Sequence, residues 1–464
     1  MPSSPADLHV VIGLGRSGIG AARLLRAQGA AVLVLEQRDS EALQQQAAVL
    51  EAEGIAVTLG SSLELGSTAP SSVVVSPGMR WDHPLLVQLR QQGIAVTGEL
   101  VPAWRASAGV PWIGITGTNG KTTVTHLVSH LLSSAGLQAP MGGNVGHSAA
   151  ELVLQRCQGQ GEPPHWLVIE MSSYQIEAAP EIAPQVGIWT TLTPDHLERH
   201  GTIEAYRAIK RGLLERSGLR ILNGDDPDLR AHAASWDTAF WVSADPGSLP
   251  DTIEPSLWIA GDRIVRRRAD GSSDDLMHAA CLAMPGQHNR QNLLMAVAAG
   301  LAAGLTGLQM EQAMREFPGV PHRLERLGHH QGVTFYNDSK ATNYDAAEVA
   351  LDALQGPLVV LAGGEAKIGD ASGWTRALQR QAGVVILYGA AQQRFEALLQ
   401  DAGYSGLVVL VESLNQAVPM AAQLAAQQGC RAVLLSPACA SFDQYSDFEA
   451  RGDHFRALVA ALGG

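Results

Sequence analysis

Of 464 residues only four are cysteine (Cys157, Cys281, Cys430 and Cys439), and no two form a C-x-x-C pair. That spacing excludes a disulfide framework and a zinc–thiolate site, and it fits a reducing compartment. Positive charge is also short. Against 45 Asp and Glu stand 32 Lys and Arg, a formal net charge of -13. Such an acidic field repels nucleic acid, so an anionic ligand must be met by local groups. No apolar run reaches membrane-spanning length, and the N-terminal stretch MPSSPADLHVVIGLG has neither a basic start nor a long apolar core. Neither a transmembrane helix nor a signal peptide is expected, and the expected location is the cytoplasm. What remains is ample apolar mass: 46% of residues are hydrophobic and only 17% charged. The length suggests about three domains with cores of their own.

The chain alternates short apolar strands with helices. HVVIGLG leads into the helix SGIGAARLLRAQG, and AVLVLE follows. The pattern restarts at VPWIGIT (110–116), after which Val124, Leu127, Val128, Leu131 and Leu132 mark one apolar helix face. Further strands are expected at 165–170, 185–193 and 219–226, then at 357–364, 384–389, 407–412 and 432–437. Fully apolar strands alternating with helices imply buried parallel sheets and an α/β fold. Gly- and Pro-rich ASAGVP (106–111) and FPGVPHR (317–323) suggest domains of 1–108, 109–319 and 320–464.

Two glycine-rich loops sit where such folds bind nucleotides. GLGRSG (13–18) lies between a strand and a helix, and Glu36 ends the next strand, where an acid usually meets a ribose hydroxyl. NAD, FAD or a UDP-sugar would all suit that pattern. TGTNGKTT (116–123) resembles a phosphate loop, but Ile115 stands where the strict spacing wants glycine. Backbone N–H groups of Thr118, Asn119 and Gly120 could line an anion, Lys121 could reach terminal phosphates, and Thr122 could bind Mg²⁺. Glu170 and His196 fall at strand ends of the same expected sheet edge. His196 and His200 are four apart in HLERH, but no third soft ligand stands near, so Mg²⁺ with oxygen ligands suits the region better than zinc. Asn289 and Asn292 open a helix, where capping is the simpler reading. Arg323, Asp338, Lys340 and Thr342 populate a polar loop region, and SPACASFDQYSDFEARGDHF (436–455) ends a strand in a polar, aromatic-bearing loop.

Together these stretches resemble the Mur ligase family of bacterial cell-wall synthesis, from GLGRSG to RGDHF. NDSKATN and SPACASFDQYSDFEARGDHF resemble its D-glutamate-adding branch. The resemblance implies three domains: a Rossmann-like N-terminal one for the UDP substrate, a P-loop-type central ATPase domain, and a Rossmann-like C-terminal one that closes on ATP and binds the amino acid. It implies ATP-dependent addition of D-glutamate to UDP-N-acetylmuramoyl-L-alanine through an acyl phosphate, by a monomer that needs neither nucleic acid nor membrane. By the same resemblance Lys121, Glu170, His196 and Lys210 are catalytic. Thr122 and Glu170 hold one Mg²⁺ and His196 helps hold a second. Lys210 matches the family's carbamylated lysine, which orients a metal. ATP would meet Thr118, Asn119, Gly120, Lys121, Thr122, Thr123, Asn289, Asn292, Arg323 and Asp338. The UDP end would meet Gly15, Arg16, Ser17, Gln37, Arg38, Ser76, Pro77, Gly78 and Asn144. The D-glutamate end would meet Lys340, Thr342, Lys367, Ser441 and Phe448. The family often carries Leu-Thr where this chain has Arg16-Ser17.

Three other readings compete. A folylpolyglutamate synthetase shares the central loop but has no need of a UDP site. A dehydrogenase would use GLGRSG and Glu36 but leaves Lys121, Glu170 and His196 without a task. A nucleotide-binding regulator would bind without turnover.

Overall fold

The computed structural model describes residues 8–63, 69–157, 163–366 and 369–462. These residues carry three sheets in two compact units. One unit comprises residues up to Leu282 and Arg290–Phe317, the other Ala283–Asn289 and the chain from Pro318.

The first unit holds two sheets. Strands β1 (Leu8–Ile12), β2 (Ala31–Leu35), β3 (Ala56–Thr58), β4 (Ser72–Val75) and β5 (Ala95–Gly98) lie in the order β3-β2-β1-β4-β5, with every pairing parallel. The order reverses at β1, so the loop after β1 opens at a switch point, where ligands of such sheets bind. The nine-stranded second sheet comprises β6 (Trp112–Thr116), β7 (Met141–Gly143), β8 (Leu167–Glu170), β9 (Val186–Trp189), β10 (Leu219–Asn223), β11 (Phe240–Ser243), β12 (Leu257–Ala260), β13 (Arg263–Arg267) and β14 (Ser273–His278). Its order is β14-β13-β12-β11-β10-β9-β6-β8-β7. The last two hairpins are antiparallel, an addition the apolar-strand pattern did not reveal because β13 and β14 are rich in charge.

Ile115, at the position of the missing glycine, sits inside β6. It is fully buried and paired with Glu170 on one side and Ile188 on the other. A glycine there would surrender a core side chain, so the first loop glycine, Gly117, comes two residues later than in the strict motif. The helix Lys121–Ser134 buries the five apolar residues its spacing predicted. The helices Arg16–Ala27 and Leu100–Ala106 pack with Ala149–Cys157, so Leu24, Leu100, Val101, Ala149 and Val153 share one core with Trp112 and Ile169.

The second unit holds β15 (Glu325–His330), β16 (Val333–Asn337), β17 (Leu358–Gly363), β18 (Ala382–Tyr388), β19 (Leu407–Leu410) and β20 (Ala432–Leu435) in the order β15-β16-β20-β17-β18-β19. All pairings are parallel except β15 with β16. Cores lie on both faces, one around Trp374, Leu378 and Phe395, the other around Phe335, Leu414 and Phe455.

Candidate active site

The central loop joins β6 to the helix Lys121–Ser134. Gly120 caps that helix at φ 83°, in the left-handed region that glycine enters without strain. Lys121 Nζ turns back over the loop and donates to the carbonyls of Gly117 (2.9 Å) and Thr118 (2.8 Å). Lys210 approaches from the helix Ile203–Arg216. It is 1% exposed, and its Nζ donates to the same Gly117 carbonyl at 2.9 Å and to Thr116 Oγ1 at 3.3 Å. It also lies 4.5 Å from the Tyr206 ring centroid. Burial first, and the nearby Lys121 charge second, push the Lys210 amine well below the usual lysine range. Lys210 is thus a buried amine that holds its proton less tightly than an exposed lysine does.

Glu170 ends β8 and is 2% exposed. Its Oε1 accepts from Asn144 Nδ2 at 2.9 Å, while its Oε2 is buried without a hydrogen-bond partner. An orphaned carboxylate oxygen is costly unless a cation or donor meets it. His196 precedes the short helix Leu197–His200 and adopts φ 54°, left-handed and rare for a non-glycine residue. Its ring packs against Tyr174 (5.1 Å) and Tyr206 (6.5 Å), and the same two tyrosines flank His200. His200 Nε2 meets Ser173 Oγ at 2.9 Å, and burial lowers its pKa to about 4, so at neutral pH it is an uncharged packing partner. Among the described residues no three His, Cys, Asp or Glu side chains cluster as a metal site.

The N–H groups of Thr118 and Asn119 donate to Thr191 O (2.8 Å) and Thr191 Oγ1 (2.9 Å), so in this conformation they do not line an anion. Thr122 and Thr123 are buried in the first helical turn, and Asn292 Oδ1 reaches the loop at Gly120. Asn144, expected at the UDP end, bonds Glu170, its side chain to the carboxylate and its N–H to the Glu170 carbonyl (2.9 Å).

A cavity of about 780 Å³ opens at the β1 switch point. Gly15, Arg16, Ser17, Gln37, Arg38, Ser76, Pro77 and Gly78 all line it, together with Glu36, Arg80 and His83. Gly18 is required by packing, since a Cβ there would lie 2.0 Å from the Gly13 carbonyl oxygen. Glu36 does not offer itself to a ribose. Its Oε2 accepts from the Leu14 N–H at 2.9 Å and its Oε1 from the Arg38 N–H and Nε at 3.0 and 3.1 Å. Burial raises its pKa, and these bonds more than offset that, leaving the group ionised below the usual range. Glu36 therefore fastens the glycine loop to β2, and the dehydrogenase reading loses its acid.

In the second unit, loops leave the carboxyl ends of neighbouring β16 and β20. Buried Arg451 ties them together, donating to Ser339 O (2.7 Å), Ser339 Oγ (2.9 Å), Cys439 O (3.1 Å) and Ala440 O (3.2 Å). Lys340 lies 4.5 Å from the Phe448 ring centroid, the Thr342 N–H donates to Lys340 O, and Ser441 is buried beside them in sequence to Ala440. Asp338 accepts from Leu324 N–H (3.2 Å) and Ser436 Oγ (2.9 Å); burial pushes its pKa up to about 7. Arg323 contributes positive charge toward both Asp338 and His288. Asn289 Nδ2 donates to Pro285 O at 2.6 Å, an internal bond at the helix start. Lys367 lies outside the described residues. Sequence reasoning passed over Tyr206 and Arg451. Tyr206 stands four residues before Lys210, a spacing that puts both on one helix face and could have flagged it.

Residues 7–98 match the Mur ligase MurD-like N-terminal domain, 115–300 the Mur ligase middle domain, and 322–439 the Mur ligase glutamate ligase domain. Over 458 residues the chain is 57% identical to the UDP-N-acetylmuramoylalanine–D-glutamate ligase of Prochlorococcus marinus (strain MIT 9313), spanning 97% of this chain and 98% of that one. The ligase of the same name from Synechocystis sp. is 47% identical over 455 residues, 97% of this chain and 99% of the other. Among solved structures, the UDP-N-acetylmuramate–alanine ligase of Thermotoga maritima aligns with a TM-score of 0.59 at 18% identity, over 98% of this chain and 99% of that one. A pseudomurein peptide ligase type C from Methanothermus fervidus aligns equally well, at 0.59 and 18%, over 98% of this chain and 100% of its own. At that identity the structural likeness speaks to the fold alone.

Proposed function

The chain belongs to the Mur ligase family, and from that premise we propose that it joins D-glutamate to UDP-N-acetylmuramoyl-L-alanine with ATP in peptidoglycan precursor synthesis. A carboxylate is a poor acyl donor. ATP phosphorylates the terminal L-alanine carboxylate, forming an acyl phosphate and ADP. The D-glutamate amine then attacks the carbonyl, the C–N bond forms, the amine proton is lost, and phosphate leaves.

The observation that carries this reading is the pair of lysine Nζ atoms on one carbonyl, Lys121 and Lys210 on Gly117 O. The first step brings two anions together, and positive charge at a helix N-terminus is what screens them. Lys121 supplies that charge from the helix start at Gly120–Thr122. Lys210, its pKa lowered by burial, would in its neutral form be a nucleophile for CO₂, and loss of one amine proton on C–N bond formation would yield a carbamate anion. The buried, unpartnered Glu170 Oε2 fits a divalent cation. Since protein carboxylates and imidazoles do not cluster there, the remaining ligands would be oxygens of Thr122 and the ATP phosphates, the set Mg²⁺ prefers. Glu170 and Thr122 would hold one Mg²⁺, and His196 with the Lys210 carbamate a second. When bound there, Mg²⁺ would supply positive charge to offset that of the phosphates.

The division of labour follows the expected domains. Residues 1–108 would hold the UDP end in the switch-point cavity through Gly15, Arg16, Ser17, Gln37, Arg38 and Ser76-Pro77-Gly78. Residues 109–319 would hold ATP, with Asn289 and Asn292 near the adenine, while from residues 320–464 Arg323 would meet a phosphate and Asp338 the ribose. Residues 320–464 would bind D-glutamate through Lys340, Thr342, Lys367, Ser441 and Phe448. Asn144 then acts by orienting Glu170 as well as touching substrate. No helix among the described residues is long and apolar enough to cross a membrane. From the family reading we infer a monomer working on small molecules in the cytoplasm.

The test is phosphate release from ATP with UDP-N-acetylmuramoyl-L-alanine and a panel of amino acids. Release with D-glutamate is expected. Release only with another amino acid would overturn the substrate, and none with any would overturn the ligase reading.

A further inference from the structure

Glu99 is a buried acid that the mechanism leaves without a task. It follows β5 directly, is 3% exposed, and burial raises its pKa to about 7. It precedes the helix Leu100–Ala106 but makes no capping bond to it. Its partner lies on the other sheet's side: Glu99 Oε1 accepts from Gln175 Nε2 at 2.8 Å. The backbones close up at the same place, where the Gly98 N–H donates to Ala178 O at 2.7 Å.

Gln175 has no freedom to turn its amide. Its Oε1 accepts from the Ser172 N–H (2.9 Å) and Ser172 Oγ (3.0 Å) in a capping box, so Nε2 must face residue 99, and only an acceptor there satisfies it. Ser172 is two residues past Glu170. The adjoining Ser173 Oγ meets His200 Nε2 at 2.9 Å, at the end of the short helix that His196 opens. These hydrogen bonds, joined through the 170–173 backbone, therefore connect the end of the substrate sheet to both segments proposed to hold Mg²⁺.

We propose that Glu99 is a positioning residue: by holding the Gln175 amide it fixes the 171–175 turn, and with it Glu170, against the first sheet. The inference rests on the ligase reading above. Loss of a group that bonds a metal ligand directly costs roughly 10–100-fold in metal affinity or activity, and Glu99, acting through Gln175, is placed at the lower end of that range.

The experiment compares the wild type with Glu99→Gln, Glu99→Met and Glu99→Asp. It measures kcat, the KM for D-glutamate, the Mg²⁺ concentration for half-maximal rate, and Mn²⁺ binding to the ADP complex by electron paramagnetic resonance. Glu99→Met keeps the length but offers no acceptor to the amide. It should weaken Mn²⁺ binding and raise the Mg²⁺ requirement at least about tenfold, with the D-glutamate KM within about twofold. Glu99→Gln keeps an acceptor and should restore both. Glu99→Asp withdraws the carboxylate by one methylene and should weaken metal binding like Met, which keeps the test decisive if Glu99→Met does not fold. Wild-type Mn²⁺ affinity in a folded Met or Asp variant would overturn the proposal, as would equal losses in Gln and Met. An inactive wild type would instead count against the ligase reading, because Mn²⁺ binding is read independently of turnover.

Discussion

Asp338→Asn gives the sharpest test of the site's electrostatics. Asp338 is 8% exposed, and burial outweighs the Ser436 hydroxyl, the Leu324 N–H and the Arg323 and Arg451 charges, raising its pKa to about 7 from 3.8. The folded protein then holds a proton between about pH 4 and 7 that the unfolded chain has lost. Stability therefore falls as pH rises through that window and levels off above the folded pKa. At about 1.4 kcal/mol per unit, the penalty accumulated from pH 5 to pH 8 is about 3 kcal/mol. Asparagine carries no such penalty. Relative to wild type, Asp338→Asn should gain about 3 kcal/mol over that range, whatever its offset from altered hydrogen bonds. Trp374 is the sole tryptophan after residue 317 and is fully buried in the same unit. Its resonance in 5-fluorotryptophan-labelled protein can report urea unfolding of that unit at each pH. A stability difference that stays level within about 0.5 kcal/mol from pH 5 to 8 would refute the reasoning.

Other substitutions probe the remaining pieces. Lys210→Ala should abolish ligase turnover; bicarbonate should not restore it, whereas formate or acetate should in part, and full activity in the variant would exclude the carbamate. Glu170→Gln should reduce kcat by about 10²-fold or more and weaken Mn²⁺ binding to the ADP complex, because it removes the charge behind the orphaned oxygen; unchanged binding would place the metal elsewhere. Gly18→Ala drives a methyl group into the Gly13 carbonyl, so the KM for the UDP substrate should rise about tenfold or more, with the Mg²⁺ requirement unchanged as the check on locality. Trp374→Ala should cost about 3–5 kcal/mol in urea unfolding of the second unit while leaving ADP binding to the central loop intact at low denaturant.

What could be read from the sequence was what short-range rules govern. The loops at Gly13–Gly18 and Gly117–Lys121 announce themselves because strand, glycine turn and helix are adjacent, and the helix from Lys121 shows its apolar face by spacing alone. The hairpin Ala260–Arg263 was equally local, with Gly261-Asp262 at its turn and Gly261 at φ 61°, yet the charged strands beside it hid the signal. Long-range pairing stayed hidden. Glu36 has the right position for a ribose ligand, but its partner Leu14 lies 22 residues away and converts it into a clamp on the loop. Asn144 reaches Glu170 across 26 residues, and Arg451 reaches Ser339 across 112. In each case residue type and strand-end location are visible in sequence, whereas the direction a side chain takes depends on which loop the sheet order sets beside it. Lys210 shows the consequence most plainly. Its helical phase is readable, but the lowering of its pKa requires knowing that the Gly117 loop closes over it with Lys121 alongside. Chemistry in this fold follows from sheet order: β8 and β9 flank β6, and that adjacency brings Glu170 and the segment bearing His196 to the loop.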